Sequence, residues 1–379
     1  MSAPARPRPL APRSGRRWPS VRDAGRRAAA LALAALAGLL GGCAHPNDGL
    51  GYYAQSLRGH LDLMQRARPL ADWLADPATP PALRQRLQLA QQLRAFAVSE
   101  LALPDNASYH RYADLGRSAV VWNVVAAPEL SLELKTWCYP LMGCVGYRGY
   151  FDRAVADAEA QRQRAAGLEV FVYGVPAYST LGWTNWLGGD PLLNTFVNGS
   201  EAALARLVFH ELSHQVAYAS GDTMFNESYA TAVERLGLAR WLAVTGRADD
   251  EPQARQRLAD FKALTLRTRQ ALDDLYASAL PEGRQRERKA VLMAALQADY
   301  QALKAAPDGP WAGYTGFDPW FGRANNAGLA IQAAYDGLVP DFERLFQREG
   351  RDFARFHAEV RRLAGLPRAE RRATLQSKP

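Results

Sequence analysis

The chain has 379 residues, with 46 Lys and Arg against 38 Asp and Glu, a formal net charge of +8 and 48% hydrophobic residues. The excess charge is local: Arg6, Arg8, Arg13, Arg16, Arg17, Arg22, Arg26 and Arg27 precede residue 43 and face only Asp23, so +7 of the +8 lies there and about +1 remains. A near-neutral remainder excludes any electrostatic case for nucleic acid or anionic lipid as a partner.

Residues 1 to 27, rich in Arg, Pro and Ala, read as unstructured. Ala28 to Leu40 is an apolar run too short to span a membrane, and it ends in Leu40-Gly41-Gly42-Cys43. A basic region, a short apolar core and small residues before a cut make a signal peptide over residues 1–42. Its ending resembles the lipobox of bacterial lipoproteins, which implies that Cys43 is lipidated and becomes the mature N-terminus. A signal peptide with an incidental Cys is the alternative. The basic region is long, which leaves open a start codon downstream, near Val21. Ala44 is not the Asp that resembles an inner-membrane retention signal, so an envelope lipoprotein on the outer membrane, facing the periplasm, is expected.

The remainder is long enough for one large domain or two closely packed lobes. It shows no low-complexity linker and no internal repeat. Gly51 to Leu103 carries Leu57, Leu61 and Met64, then Leu87, Leu89, Leu93 and Phe96, at helical spacing, with breaks at Pro77 and Pro80-Pro81. Residues 43–118 therefore read as a lipidated N-terminus and a helical hairpin. Residues 119 to 136 alternate or run apolar with strand periodicity around Pro128. Tyr147 to Ala166 reads as an amphipathic helix and Leu168 to Tyr173 as a strand. With Cys43 assigned to lipid, Cys138 and Cys144 remain, six apart around Pro140 and Gly143. In an oxidising compartment they read as a small disulfide loop, since no His or third Cys nearby suggests a metal site. So small a loop contributes modestly.

Residues 119–245 form the expected catalytic core, because they hold His210-Glu211-Leu212-Ser213-His214 and, thirteen residues on, Asn226-Glu227. Residues four apart share a helix face, so His210 and His214 present two imidazoles to one ion. Catalytic zinc takes three protein ligands and a water, and Glu227, opening the next predicted helix after Ser220-Gly221-Asp222, is the natural third. Glu211 is placed to act as base toward the water. The four remaining histidines offer no competing pair. Glu234, seven residues after Glu227, either orients a ligand His or pairs structurally with an Arg. Residues 246–379 read as a helical lobe of solvated bundle helices. Within it, residues 309 to 322 form an aromatic, Gly-rich loop that either lines a pocket or caps the core.

His210-Glu211-Leu212-Ser213-His214-Gln215 followed by Asn226-Glu227-Ser228-Tyr229-Ala230 and Glu234 resembles the gluzincin metallopeptidases, whose third ligand is a Glu on the following helix. More narrowly, the chain resembles the bacterial family described as predicted aminopeptidases, often lipoproteins of proteobacteria. Residues 137 to 151, 174 to 183 and 325 to 330 also fit, as do Tyr335 and Asp336 to Pro340, so the resemblance covers most of the chain after Cys43. Residues 184 to 192 depart from the shorter turn associated with the family. The resemblance implies a sheet beside the motif helix whose edge strand bonds the substrate backbone, since an unpaired edge takes up peptide through main-chain bonds. Residues 177 to 181 are that edge or a plain surface loop. It also implies a Tyr that donates to the oxyanion, with Tyr335 the first choice and Tyr314 the alternative.

The expectation is an α+β, mostly helical, zincin-like metallopeptidase anchored by lipid. One Zn2+ per chain binds His210, His214 and Glu227, and the substrate is a peptide. Aminopeptidase action rests on the resemblance alone, and no acidic group for the substrate amine is assigned. An envelope endopeptidase with the same metal site is one alternative. A lipoprotein scaffold with a structural zinc is the other, and the retained Glu211 argues against it.

Overall fold

The computed structural model describes residues 49–139, 143–177, 189–333 and 337–377. The chain divides into two compact units, Met1–Ala54 and Gln55–Pro379. Cys43 and the leader before it lie outside the described residues.

Helix α1 (Gly49–Arg66) is followed by β1 (Arg68–Pro69), α2 (Leu70–Ala75) and α3 (Pro81–Ser99), with Pro at the first position of α3 as the predicted break requires. Next come β2 (Arg111–Ala113), β3 (Val121–Pro128), β4 (Trp137–Tyr139), β5 (Gly143–Val145) and β6 (Arg148–Tyr150). After them come α4 (Arg153–Ala165), β7 (Leu168–Val175), β8 (Leu192–Leu193) and α5 (Asn194–Val197). The rest of the chain is helical: α6 (Glu201–Ser213), α7 (Thr223–Thr245), α8 (Pro252–Tyr276), α9 (Glu282–Ala305), α10 (Asp318–Phe321), α11 (Asn326–Ala333), α12 (Val339–Arg348), α13 (Phe353–Ala364) and α14 (Arg368–Gln376). The protein is α+β and mostly helical.

Two sequence expectations change. The alternating residues 129–136 do not extend the strand: pairing of β3 with β7 stops at Pro128, which has no N–H to donate, and Leu132 turns into an apolar cluster instead. Tyr147 to Ala166 is not all helix. Arg148 to Tyr150 pair with Val124 to Trp122, and the helix starts only after Asp152, whose carboxylate accepts from the N–H groups of Ala154 and Val155.

Strands β6, β3 and β7 form an antiparallel sheet in that order, so β7 is an edge. A second sheet, β1-β2-β8, joins β2 and β8 in parallel. Cys138 and Cys144 face each other across the β4–β5 pair and are bonded, with Cα atoms 3.9 Å apart. The main core gathers Leu93 and Phe96 of α3, Leu204, Val208, Phe209 and Leu212 of α6, Phe225, Tyr229 and Val233 of α7, and Phe342 and Phe356 of α12 and α13. A second cluster joins α8, α9 and the aromatic loop through Phe261, Leu296, Tyr300, Trp311 and Phe321.

A buried histidine ties α7 to α13. His357 Nδ1 lies 2.8 Å from Tyr229 Oη and its Nε2 lies 2.8 Å from the Leu101 carbonyl. The neutral tautomer with Nε2–H serves both contacts. Burial lowers the His357 pKa to about 4, with the Leu101 contact and Asp352 opposing and Arg361 reinforcing the shift. In the unfolded chain the ring titrates near 6.5, so between the two values the unfolded state binds the extra proton and stability falls as pH falls. Unfolding free energy should drop by about 2 kcal/mol from pH 7 to pH 5 on this account. His357→Gln, followed by denaturant titration at both pH values, should remove that part of the slope.

Candidate metal centre

The motif helix α6 begins at Ser200, whose Oγ accepts from the Ala203 N–H at 3.0 Å, and ends at Ser213 with His214 as its αR cap residue. The two histidines therefore stand on its last turn, aimed toward whatever follows the connection to α7. Asn226 shapes that connection: its amide accepts from Ala219 N–H (2.8 Å) and donates to Ala219 C=O (2.9 Å). Asp222 caps α7 by accepting from Phe225 N–H at 3.2 Å. Gly237 lets α7 lie close to α6, since a Cβ there would stand 2.8 Å from Phe209 and from Leu101. The outcome is that Glu227 faces the motif.

His210 Nε2 lies 3.3 Å from Glu227 Oε2, and His214 Nε2 lies 3.8 Å from the same oxygen. One donor atom from each of the three residues falls within 4.8 Å of the others. Donors about 2.1 Å from a tetrahedral ion stand about 3.4 Å apart, so the constellation fits one small cation. The opposite ring nitrogen of His210 points at Glu234 Oε2, 3.0 Å away, an arrangement that fixes the Nδ1–H tautomer and leaves the Nε2 lone pair inward. His214 is 7% exposed, and its Nδ1 has no hydrogen-bond partner among the described residues.

Charges sharpen this picture. Burial pulls the His210 pKa down, but Glu227 and Glu234 outweigh it and hold it well above the ordinary value. Burial, reinforced by His210 and opposed by Glu227, takes His214 down to about 4. Burial pushes Glu227 up, yet the two histidines bring it below its ordinary value. Glu211 is raised to about 7, by burial first, with Glu227, Asp190 and Glu234 adding and His210 opposing. Two imidazoles facing one carboxylate need a proton or a cation between them; without a metal His210 takes the proton, and a bound cation would replace it. The donor set thus suits a divalent ion, with a carboxyl of near-neutral pKa beside it.

Two residues near Glu211 had escaped the sequence reading. Asp190, 2% exposed, acts electrostatically on both Glu211 and Tyr109. Tyr109, also 2% exposed, has φ of 66°, a left-handed conformation that costs a bulky residue energy. Its N–H donates to Asp190 C=O at 2.7 Å, and Arg94 donates to the carbonyls of Pro104, Asn106 and Ser108 around it. Gln215, next to His214, joins the same segment by accepting from Asn106 Nδ2 (2.7 Å) and donating to Ser108 Oγ (3.2 Å). Gly188-Gly189 was a legible turn signal before Asp190; Gly189 has φ of 65°, and a Cβ there would meet Ser108 N at 2.4 Å. Nothing in the local sequence marks Tyr109.

The structure thus brings together His210, Glu211, His214, Glu227 and Glu234. Tyr335, residues 178–181 of the expected substrate edge, and Cys43 lie outside the described residues. Tyr314 packs against Trp311 and Phe317 under Arg257, whose guanidinium lies 4.1 Å from its ring centre.

In this mostly helical α+β protein, two histidines and a glutamate of adjacent helices converge on one point and could hold a single metal ion. The chain belongs to the family described as "Putative aminopeptidase", which matches residues 51–375. That name points to peptide hydrolysis, hence to a peptide substrate. No curated protein and no solved structure matches the chain. Among the described residues, no helix is long and apolar enough to cross a membrane.

Proposed function

We propose that this protein is a zinc-dependent peptidase of gluzincin type, an aminopeptidase held in the bacterial envelope by a lipid on Cys43 and facing the periplasm. The observation that carries the reading is the convergence of His210, His214 and Glu227 donor atoms within 4.8 Å, beside the Glu211 carboxyl. His210, His214 and Glu227 hold the ion, and Glu234 keeps His210 in the tautomer that binds. Zinc, when bound, polarises the scissile carbonyl and acidifies the attacking water. Glu211 accepts the proton of that water and hands it to the leaving amine, a shuttle suited to a carboxyl tuned toward neutrality. The substrate backbone meets the edge of β7 at its C-terminal end, around Gly174, past the stretch whose outward carbonyls are already bonded. Val170 and Val172 turn their carbonyls away from β3, where Asn325 and Arg323 take them, and Gly174 turns the same way, exposed, with no described residue bonding it.

The test is metal analysis of the purified protein beside Glu227→Ala. About one zinc per chain in the wild type, with binding lost or greatly weakened in the variant, is the expected result for a three-ligand site. No zinc even after reconstitution would sink the proposal, and the structural-zinc scaffold with it. An endopeptidase with the same centre is the second reading, favoured if peptides with blocked N-termini are cleaved as well as free ones.

A further inference from the structure

One face of β7 walls a cavity of about 320 Å³, together with residues that follow the aromatic loop. Phe171, Tyr173 and Val175 alternate along the strand and so present one face, while Trp320 of α10 and Ile331 and Gln332 of α11 close the other side. The ring centres of Phe171 and Trp320 are 6.1 Å apart. The polar groups nearby are engaged. Tyr173 Oη accepts from Asn123 Nδ2 at 3.2 Å. Arg323 stacks over Phe171 and donates to the carbonyls of Val172 and Pro319. None of the six lining residues carries a charge, so a charged guest would lose its hydration against them, whereas an apolar one gains contact.

The position of the cavity names its guest. Past Val175, the Pro176 carbonyl accepts from Thr195 Oγ1 of α5, the helix that leads into α6 and the motif. Past Gln332, the described chain resumes at Gly337, packed on Met224, and Leu338 N–H donates to Ser228 Oγ at 3.2 Å, one residue from Glu227. The strand that forms one wall is thus tied to α5, just before the motif helix, and Leu338, beyond the other wall, is tied to α7 beside Glu227; the exposed Gly174 lies within that strand. A volume near the lower end of the range for small-molecule pockets accommodates one large side chain rather than a stretch of peptide.

We propose that this cavity is the subsite for a large apolar or aromatic side chain of the substrate residue flanking the cleaved bond, so that the enzyme selects peptides carrying Leu, Met or Phe there. The proposal rests on the peptidase reading, and its test separates the two. The zinc-loaded full chain is assayed on amide substrates, free and N-blocked, that differ only in an Ala, Leu, Phe or Glu residue. In parallel, binding of phenylalaninamide is followed by calorimetry. Leu and Phe should exceed Ala in kcat/KM by about 10–200-fold, the range that added methylenes supply in an apolar pocket, and Glu should be poorest. Val175→Phe, which fills the cavity from the half-buried end of the strand, should erase the advantage and the phenylalaninamide binding while leaving zinc content in place. Turnover without preference for Leu or Phe overturns the subsite and leaves the peptidase standing. Phenylalaninamide binding that Val175→Phe abolishes, in a protein that hydrolyses nothing, upholds the pocket and removes the peptidase reading. Equal binding by wild type and Val175→Phe overturns the subsite.

Discussion

Glu211→Gln should keep about one zinc per chain while lowering kcat by about 10²–10⁴-fold, the usual contribution of a positioned proton shuttle. Gln has the same shape and hydrogen-bonding reach but cannot take a proton from water. The three donor residues are untouched, so metal content and KM should change little, which is the signature of an interaction made only in the transition state. Single-turnover or steady-state rates, with metal measured on the same samples, decide it. A variant that turns over at the wild-type rate would remove Glu211 from the mechanism and leave the shuttle to a neighbour such as Asp190. The pH profile gives an independent handle. Burial raises Glu211 to about 7 in the metal-free chain, and a bound cation draws it downward. The acid limb of kcat/KM should therefore lie at or below neutrality and vanish in the Gln variant.

Asp222→Ala should destabilise the protein by about 3–5 kcal/mol, the cost of stripping one partner from a buried ion pair. Asp222 is 2% exposed; Arg371 reaches it at 2.7 Å, Arg372 at 2.5 Å, and it also caps the helix that carries Glu227. Arg371 stays behind with side-chain exposure of only 6%, bonded to the carbonyls of Leu363, Ala364 and Leu366 but lacking its counter-charge. Burial pushes the Asp222 carboxyl up, but Arg372, the Phe225 N–H and Arg371 outweigh it, so the pKa lies below the ordinary value. Its contribution is then present above the unfolded pKa of about 3.9 and lost only as pH falls through the lower folded value. Denaturant titration near neutrality reads the full effect. Asp222→Asn separates the two roles, because Asn caps a helix as well as Asp but cannot answer two guanidinium groups. If Asn restores most of the stability, the cap dominates and the ion pair contributes little. A C-terminal helix thus holds the start of α7 in place, and through it the position of Glu227.

The sequence by itself determined the local chemistry. Spacing of four between His210 and His214 puts both rings on one helix face, and the Ser-Gly-Asp turn announces a new helix with Glu227 in its first turns. Helical periodicity and Pro breaks located α1 to α3, and the apolar run before Pro128 located β3. A separation of six between two cysteines was enough to expect the bridge. Each of these signals is carried by neighbours in the chain, where a period or a turn type decides the geometry. Local periodicity failed where distant partners compete. Residues 129–136 alternate like a strand yet leave the sheet for the second core, and Arg148 to Tyr150 leave a helical pattern to pair with β3. Only the tertiary structure chose Glu234 as the partner of His210 over an arginine, set Asp190 and the strained Tyr109 near Glu211, and made β7 an edge with a cavity on one face. These contacts join residues tens to more than a hundred positions apart. What selects them is the burial of side chains from α3, α6, α7 and α12 in one core, which no short window of sequence contains.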